Sequence, residues 1–101
     1  MTVYVSNAFS LQMVQDEDLQ RVKFRAAGDE GDEGPDVSGM VSCVGHADTA
    51  AVLGVECARI NVTLIEGDRM WVAQLTGGRL PEGSKTLPEG FRFRWVLVEV
   101  K

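Results

Sequence analysis

The segment that most constrains the fold lies near the carboxyl end. From Phe91 to Val100 the residues alternate, with Phe91, Phe93, Trp95, Leu97 and Glu99 on one side and Arg92, Arg94, Val96, Val98 and Val100 on the other. Period-two alternation of aromatic and β-branched residues is a strand pattern, because successive side chains of an extended backbone point to opposite faces. The second face changes from Arg to Val along its length, so it passes under cover midway. A segment of this kind needs a sheet to join, and the rest of the chain must provide it.

Four further runs have strand character: 2–5, 22–26, 59–65, with Ile60, Val62 and Leu64 on one face, and 70–75. Gly67-Asp68 reads as a hairpin turn that makes the third and fourth runs antiparallel neighbours. One helix is signalled. His46-Ala-Asp-Thr-Ala-Ala-Val-Leu ends at Gly54, with His46 or Asp48 placed to cap its start and Gly54 placed to end it in a left-handed turn. Its free N–H groups would favour an anion beside His46. Residues 10–19 suit either a short helical turn or an extended link, with Asn7 and Ser10 placed to cap a turn and Phe9 to anchor it. Residues 77–83 form a glycine-bounded loop carrying Arg79 and Glu82.

At 101 residues the chain suffices for one domain with one small core. Ten basic against fifteen acidic side chains give a net charge of -5, which argues against a DNA binder that must neutralise many phosphates. Asp29, Glu30, Asp32, Glu33 and Asp36 crowd together beside Gly28 and Pro35, as expected for a solvated loop. They do not follow the ligand order of a calcium loop. No apolar run is long enough to span a membrane, and the first ten residues lack the pattern of a signal peptide. Cytoplasmic residence is expected. Cys43 and Cys57 have neither metal-ligand nor disulfide-framework spacing, so no metal, no cofactor and no disulfide is expected.

His46 is the single histidine, and the small residues Gly45 and Ala47 on either side would let a ligand approach it closely. The simpler alternative is a helix cap. Cys43, three residues before, is a conceivable nucleophile partner, yet its apolar neighbours Val41 and Val44 suit a core residue better. Arg79 and Glu82 are either a functional pair on a constrained loop or a surface ion pair. Arg59 is either an anion contact or a solvated side chain. Neither a dinucleotide fingerprint nor a Walker sequence is present. Trp71, Trp95 and the phenylalanines read as core, and no aromatic platform for bases is evident.

Three ordered segments, Tyr4-Val-Ser-Asn-Ala-Phe-Ser-Leu-Gln-Met, Ser42-Cys-Val-Gly-His-Ala-Asp-Thr-Ala and Gln74-Leu-Thr-Gly-Gly-Arg-Leu-Pro-Glu-Gly, resemble the ring-nuclease family of viruses, prophages and some type III CRISPR loci, whose viral members are anti-CRISPR enzymes. The resemblance spans nearly the whole chain. It implies a mixed α/β fold of the α+β type, a symmetric homodimer, and a phosphodiesterase that binds cyclic tetra-adenylate between its subunits and cuts it without metal. The family's catalytic histidine falls on His46, and its Arg and Glu fall on Arg79 and Glu82. Its ligand contacts fall on Asn7, Ser10, Gln12 and Arg59, with Gly45 and Ala47 flanking the histidine. Gln12 stands where the family commonly has Asn, and Ala58 replaces the Asn before the arginine. The acidic insertion from Gly28 to Pro35 and a shortened segment before the last strand also depart from the pattern.

The chemistry so implied needs no protein nucleophile: a ribose 2′-OH attacks its own phosphate in line, leaving a 2′,3′-cyclic phosphate. The protein would supply geometry, charge stabilisation and a proton for the departing 5′-oxygen. A twofold interface suits a ring that is itself symmetric. A binding protein that sequesters the ring, or a structural or regulatory protein with no nucleotide ligand, stays open at this stage.

Overall fold

A computed structural model describes residues 2–26 and 35–101. Of the acidic stretch only Asp36 is among them, and the expected solvated loop at Asp29, Glu30, Asp32 and Glu33 lies outside the described residues. Among the described residues the fold is α+β, a mixed five-stranded sheet with one α-helix and two short 3-10 helices. In chain order the strands are β1 (Val3–Ser6), β2 (Val22–Ala26), β3 (Val41–Ser42), β4 (Arg69–Thr76) and β5 (Arg92–Val100), and the helix α1 is Ala47–Leu53. Across the sheet they lie in the order β2-β5-β4-β1-β3. β1 is parallel to both β3 and β4, whereas β5 is antiparallel to β4 and β2.

Two expectations fail, and for related reasons. The run 59–65 is not a ladder strand; it makes one isolated parallel bridge, Leu64 to Val14. Its alternation is nevertheless real, since Val62 and Leu64 are buried between exposed neighbours. Packing on the core, and not sheet pairing, satisfies that pattern, and the Leu64 N–H donates to the Met13 carbonyl at 2.6 Å. Nor does Gly67-Asp68 join two paired strands. The Asp68 carboxylate, only 4% exposed, accepts the N–H groups of Thr2 and Ile65 at 3.0 Å each, while Gly67 N–H donates to Val100 O at 2.8 Å. These bonds tie the turn to the start of β1 and the end of β5, so β4 emerges between those two strands. The missing fifth strand is β3, which is two residues long.

β5 behaves as its pattern requires. Arg92 and Arg94 are exposed, Val96 is half-buried, and Val98 and Val100 are buried. On that face of the sheet Met70, Val72, Val98 and Val100 pack with Val14, Val62 and Leu64. On the other face Val5, Ala73 and Trp95 pack with Leu53 and Val55 at the end of α1 and with Val37 and Met40. Trp95 meets Trp71 and Phe93 edge-on there, at 6.5 and 6.0 Å between centroids. Glu99 is the charged member of this apolar face, and Arg25 and Arg69 each reach its carboxylate at 3.5 Å. Residues 10–19 hold the expected short turns, as 3-10 helices Leu11–Met13 and Asp16–Arg21. No helix among the described residues is long and apolar enough to cross a membrane.

Candidate functional site

Because β1, β3 and β4 run parallel, their carboxyl ends lie at one edge of the sheet, the usual place for a ligand crevice in sheets of this type. Asn7 follows β1, residues 43–46 lead from β3 into α1, and Gly77 follows β4. β1 also stops early. Its pairing ends at Ser6–Val72, whereas β4 continues to Thr76 beside β5 alone. A notch is left above Asn7.

Hydrogen bonds hold His46 at this notch from several sides. The buried Ser6 hydroxyl donates to Ala8 O at 2.9 Å and approaches Cys43 O at 3.4 Å, fixing the turn that carries Asn7 against the segment after β3. Gly45 is then clamped. Its N–H donates to Asn7 Oδ1 at 3.2 Å, and its carbonyl accepts from Arg59 Nε at 2.8 Å. The Ala58 N–H donates to Val44 O at 2.9 Å, so residues 58 and 59 brace the turn as a pair. His46 caps α1 with an extended backbone, its Nδ1 accepting from the Thr49 N–H at 3.4 Å. That contact places the proton of the neutral ring on Nε2. The Thr49 hydroxyl, also 3.4 Å from Nδ1, is an acceptor for the doubly protonated ring.

The loop 77–83 closes the hollow from the β4 side. Gly77 has φ +102°, and a Cβ there would lie 2.7 Å from Gly90 O, so only glycine lets the loop pass the start of β5 this closely. Leu80 is buried and anchors the loop, Pro81 O accepts from Ser84 N–H and Oγ, and Gly83 N–H donates to Asp48 Oδ1 at 3.1 Å. Asp48 thus joins the loop to the first turn of α1.

The result is a hollow of about 140 Å³ lined by Asn7, His46, Thr49, Ala73, Leu75, Arg79 and Leu80. The structure therefore brings Asn7, His46 and Arg79 together. Gly45 and Ala47 flank the histidine in the chain, and Arg59 reaches the site through the Gly45 carbonyl. Glu82 is exposed at the turn beyond Leu80 and does not line the hollow. Ser10 caps the first 3-10 helix, accepting from Gln12 N–H at 3.2 Å, and Gln12 lines a separate hollow with Leu11, Asp16 and Glu17. Within one chain these two residues stand apart from His46.

Cys43 and Cys57 are free thiols; Cys43 is buried, and burial pushes its thiol above the usual range, which suits a core residue and not a nucleophile. Among the described residues no three His, Cys, Asp or Glu side chains are grouped to hold a metal ion. Sequence reasoning passed over Thr49, whose part depends on the cap geometry, and Leu80, which sits inside a motif read for its charges. It also misplaced Phe24, which is 59% exposed and not in the core.

Comparison with known proteins bears on the whole chain. No curated protein sequence matches it. Among solved structures, B116 of Sulfolobus turreted icosahedral virus superposes with a TM-score of 0.73 at 19% identity, covering 98% of this chain and 99% of that one. At that identity the likeness is one of fold. The sequence itself matches the family described as STIV B116-like over residues 3–91. That match takes in β1 to β4, α1 and the loop bearing Arg79, and the chain belongs to the STIV B116-like family.

Proposed function

We propose that this chain is a metal-independent ring nuclease that binds cyclic tetra-adenylate between two identical subunits and cleaves it to linear di-adenylate ending in a 2′,3′-cyclic phosphate, so switching off type III CRISPR signalling. The observation that carries the reading is the convergence of His46, Arg79 and Asn7, from three separate segments, on one hollow at the carboxyl ends of parallel strands. Each of the three motif segments contributes one of these residues, while Ser10, Gln12 and Glu82, which the motifs also nominate, lie outside the hollow.

In this mechanism the ribose 2′-oxygen forms a bond to phosphorus in line with the P–O5′ bond, which breaks. His46 acts as the doubly protonated ring, its Nδ1–H on the Thr49 hydroxyl, and gives its Nε2 proton to the departing 5′-oxygen, which leaves the ring neutral; the guanidinium of Arg79 stabilises charge on the non-bridging oxygens. Glu82, the third residue that the motifs nominate, stands outside this hollow and has no part in the step within one subunit. The 2′-hydroxyl proton leaves to water. A hollow of about 140 Å³ is below the roughly 300–1,000 Å³ that enclose a whole small-molecule ligand, but it is adequate for one phosphoryl group. The proposal gives the remaining wall to a second subunit facing the first.

Single-turnover incubation with labelled cyclic tetra-adenylate in EDTA tests the reading, with His46→Ala alongside. Linear di-adenylate with a cyclic phosphate should form with the wild type and not with the variant. Ring that stays bound and intact would make the chain a sequestering protein, and absence of binding would remove the nucleotide from its function.

A further inference from the structure

β2 is an outer strand of the sheet, and β5 separates it from the parallel strands that carry the His46 notch. Its backbone is bonded on one side. The Lys101 N–H donates to the Arg21 carbonyl at 2.9 Å, and bonded pairs alternate along an antiparallel ladder, so Lys23 and Arg25 direct their backbone groups at β5 while Phe24 and Ala26 turn theirs outward. The bonds of Val100 agree, since its N–H donates to Asp68 O and its carbonyl accepts from Gly67 N–H, both on the other side of β5. Among the described residues the outward groups of Phe24 and Ala26 have no backbone partner. The opposite edge is guarded. β3 is two residues long, and the segment after α1 braces it, with Ser42 Oγ donating to Glu56 O and the Ala58 N–H to Val44 O.

The side chains of β2 are sorted by face. Phe24 stands exposed on one side, its ring held edge to face by Phe9 with centroids 5.5 Å apart. On the other side Lys23 and Arg25 are exposed, and Lys23 and Arg69 are the register partners of Glu99 from either side of β5. Arg25 and Arg69 share the Glu99 carboxylate. Three cations thus surround one carboxylate, in a chain whose net charge is -5. An unpaired edge of this kind is a template for one more strand.

We propose that the outer edge of β2 takes an extended segment of another protein, in which acidic and apolar residues alternate, and adds it to the sheet. The backbone of that segment bonds to Phe24 and Ala26, an apolar side chain lies against the Phe24 ring, and the flanking carboxylates meet Lys23 and Arg25 on the other face. A second copy of β2 is a poor occupant. Antiparallel pairing centred on Phe24 would set Lys23 of each copy against Arg25 of the other, and like charges directly opposite repel. The inference does not depend on the ring-nuclease reading, because the edge and the notch lie on different strands.

Fluorescence anisotropy of the full chain with a labelled, capped heptapeptide, Glu-Val-Glu-Val-Glu-Val-Glu, tests it, with Lys-Val-Lys-Val-Lys-Val-Lys as the control. The acidic peptide should bind, less tightly as salt is raised, and the basic one should not. Lys23→Glu should weaken the acidic peptide roughly tenfold, and Phe24→Ala roughly fivefold, with thermal unfolding little changed because both side chains are exposed. Hydrogen exchange at the Phe24 and Ala26 amides should slow on binding, a change that ionic contact of side chains alone would not produce. If neither peptide binds, if both bind alike, or if those amides exchange equally fast with and without the acidic peptide, the proposal fails. Protection of Phe24 that rises with protein concentration alone, accompanied by association in sedimentation, would give the edge to a second copy and overturn it as well.

Discussion

At the scale of single residues, Gly45 is the fixed point on which His46 depends. Arg59 spends its Nε on the Gly45 carbonyl, and its stem packs at 3.4 Å from where a Cβ of residue 45 would stand. Arg59→Lys keeps the charge but not the planar Nε contact, so under the proposed ring cleavage the single-turnover rate should slow by roughly tenfold through misplacement of the imidazole, with ring affinity nearly unchanged. A loss of affinity at unchanged rate would instead make Arg59 a ligand contact. The glycines also separate by geometry. Gly45→Ala meets only a flexible stem and should cost under about 1 kcal/mol, whereas Gly77→Ala meets a backbone oxygen at 2.7 Å with φ +102° and should cost about 1–3 kcal/mol in denaturant unfolding. Cys43 gives a pH dependence. Its thiol pKa is raised by burial above the unfolded value, so the folded chain holds the proton more tightly. That contribution is complete below the ordinary thiol range of about 8.5 and is lost as pH rises through the folded value. Urea midpoints should decline on the alkaline side, and less so in Cys43→Ala once its lower baseline is set aside.

At the scale of elements, the sequence was most legible where a local rule and the tertiary context agree. The stop at Gly54, with φ +74°, the cap at His46 and the two-faced pattern of β5 are of this kind. Gly54→Ala should lower stability by about 1 kcal/mol without moving His46, which a thermal melt and an unchanged ring affinity would show. The run 59–65 was misread because alternation reports burial on one side and is silent about which backbone lies alongside. Val62 and Leu64 point inward just as strand residues would, yet the edge of β4 they would need is taken by β1. β3 escaped notice because two residues cannot display a period. The site was legible as a set of residue types on separate loops. The exposure of Phe24 was not, since nothing in the sequence around it says that the ring stands outside the core.

At the scale of the whole molecule, the proposed cleavage of a ring between two subunits turns on whether each reaction centre would be built within one subunit or across two. His46 and Arg79 of a single chain line the same hollow, brought together by the docking of Gly83 on Asp48 and by buried Leu80. Two subunits facing one ring would then offer two such centres, each already holding its own histidine and arginine. This arrangement predicts the behaviour of mixed subunits. A His46→Ala chain combined with an Arg79→Ala chain has one defect in each centre, so the mixture should stay inactive. Wild type combined with a chain carrying both substitutions keeps one intact centre per mixed dimer and should retain about half the rate per centre-containing subunit pair. If the first mixture recovers cleavage instead, histidine and arginine must act from opposite subunits, because only a shared centre can be completed by two differently damaged chains.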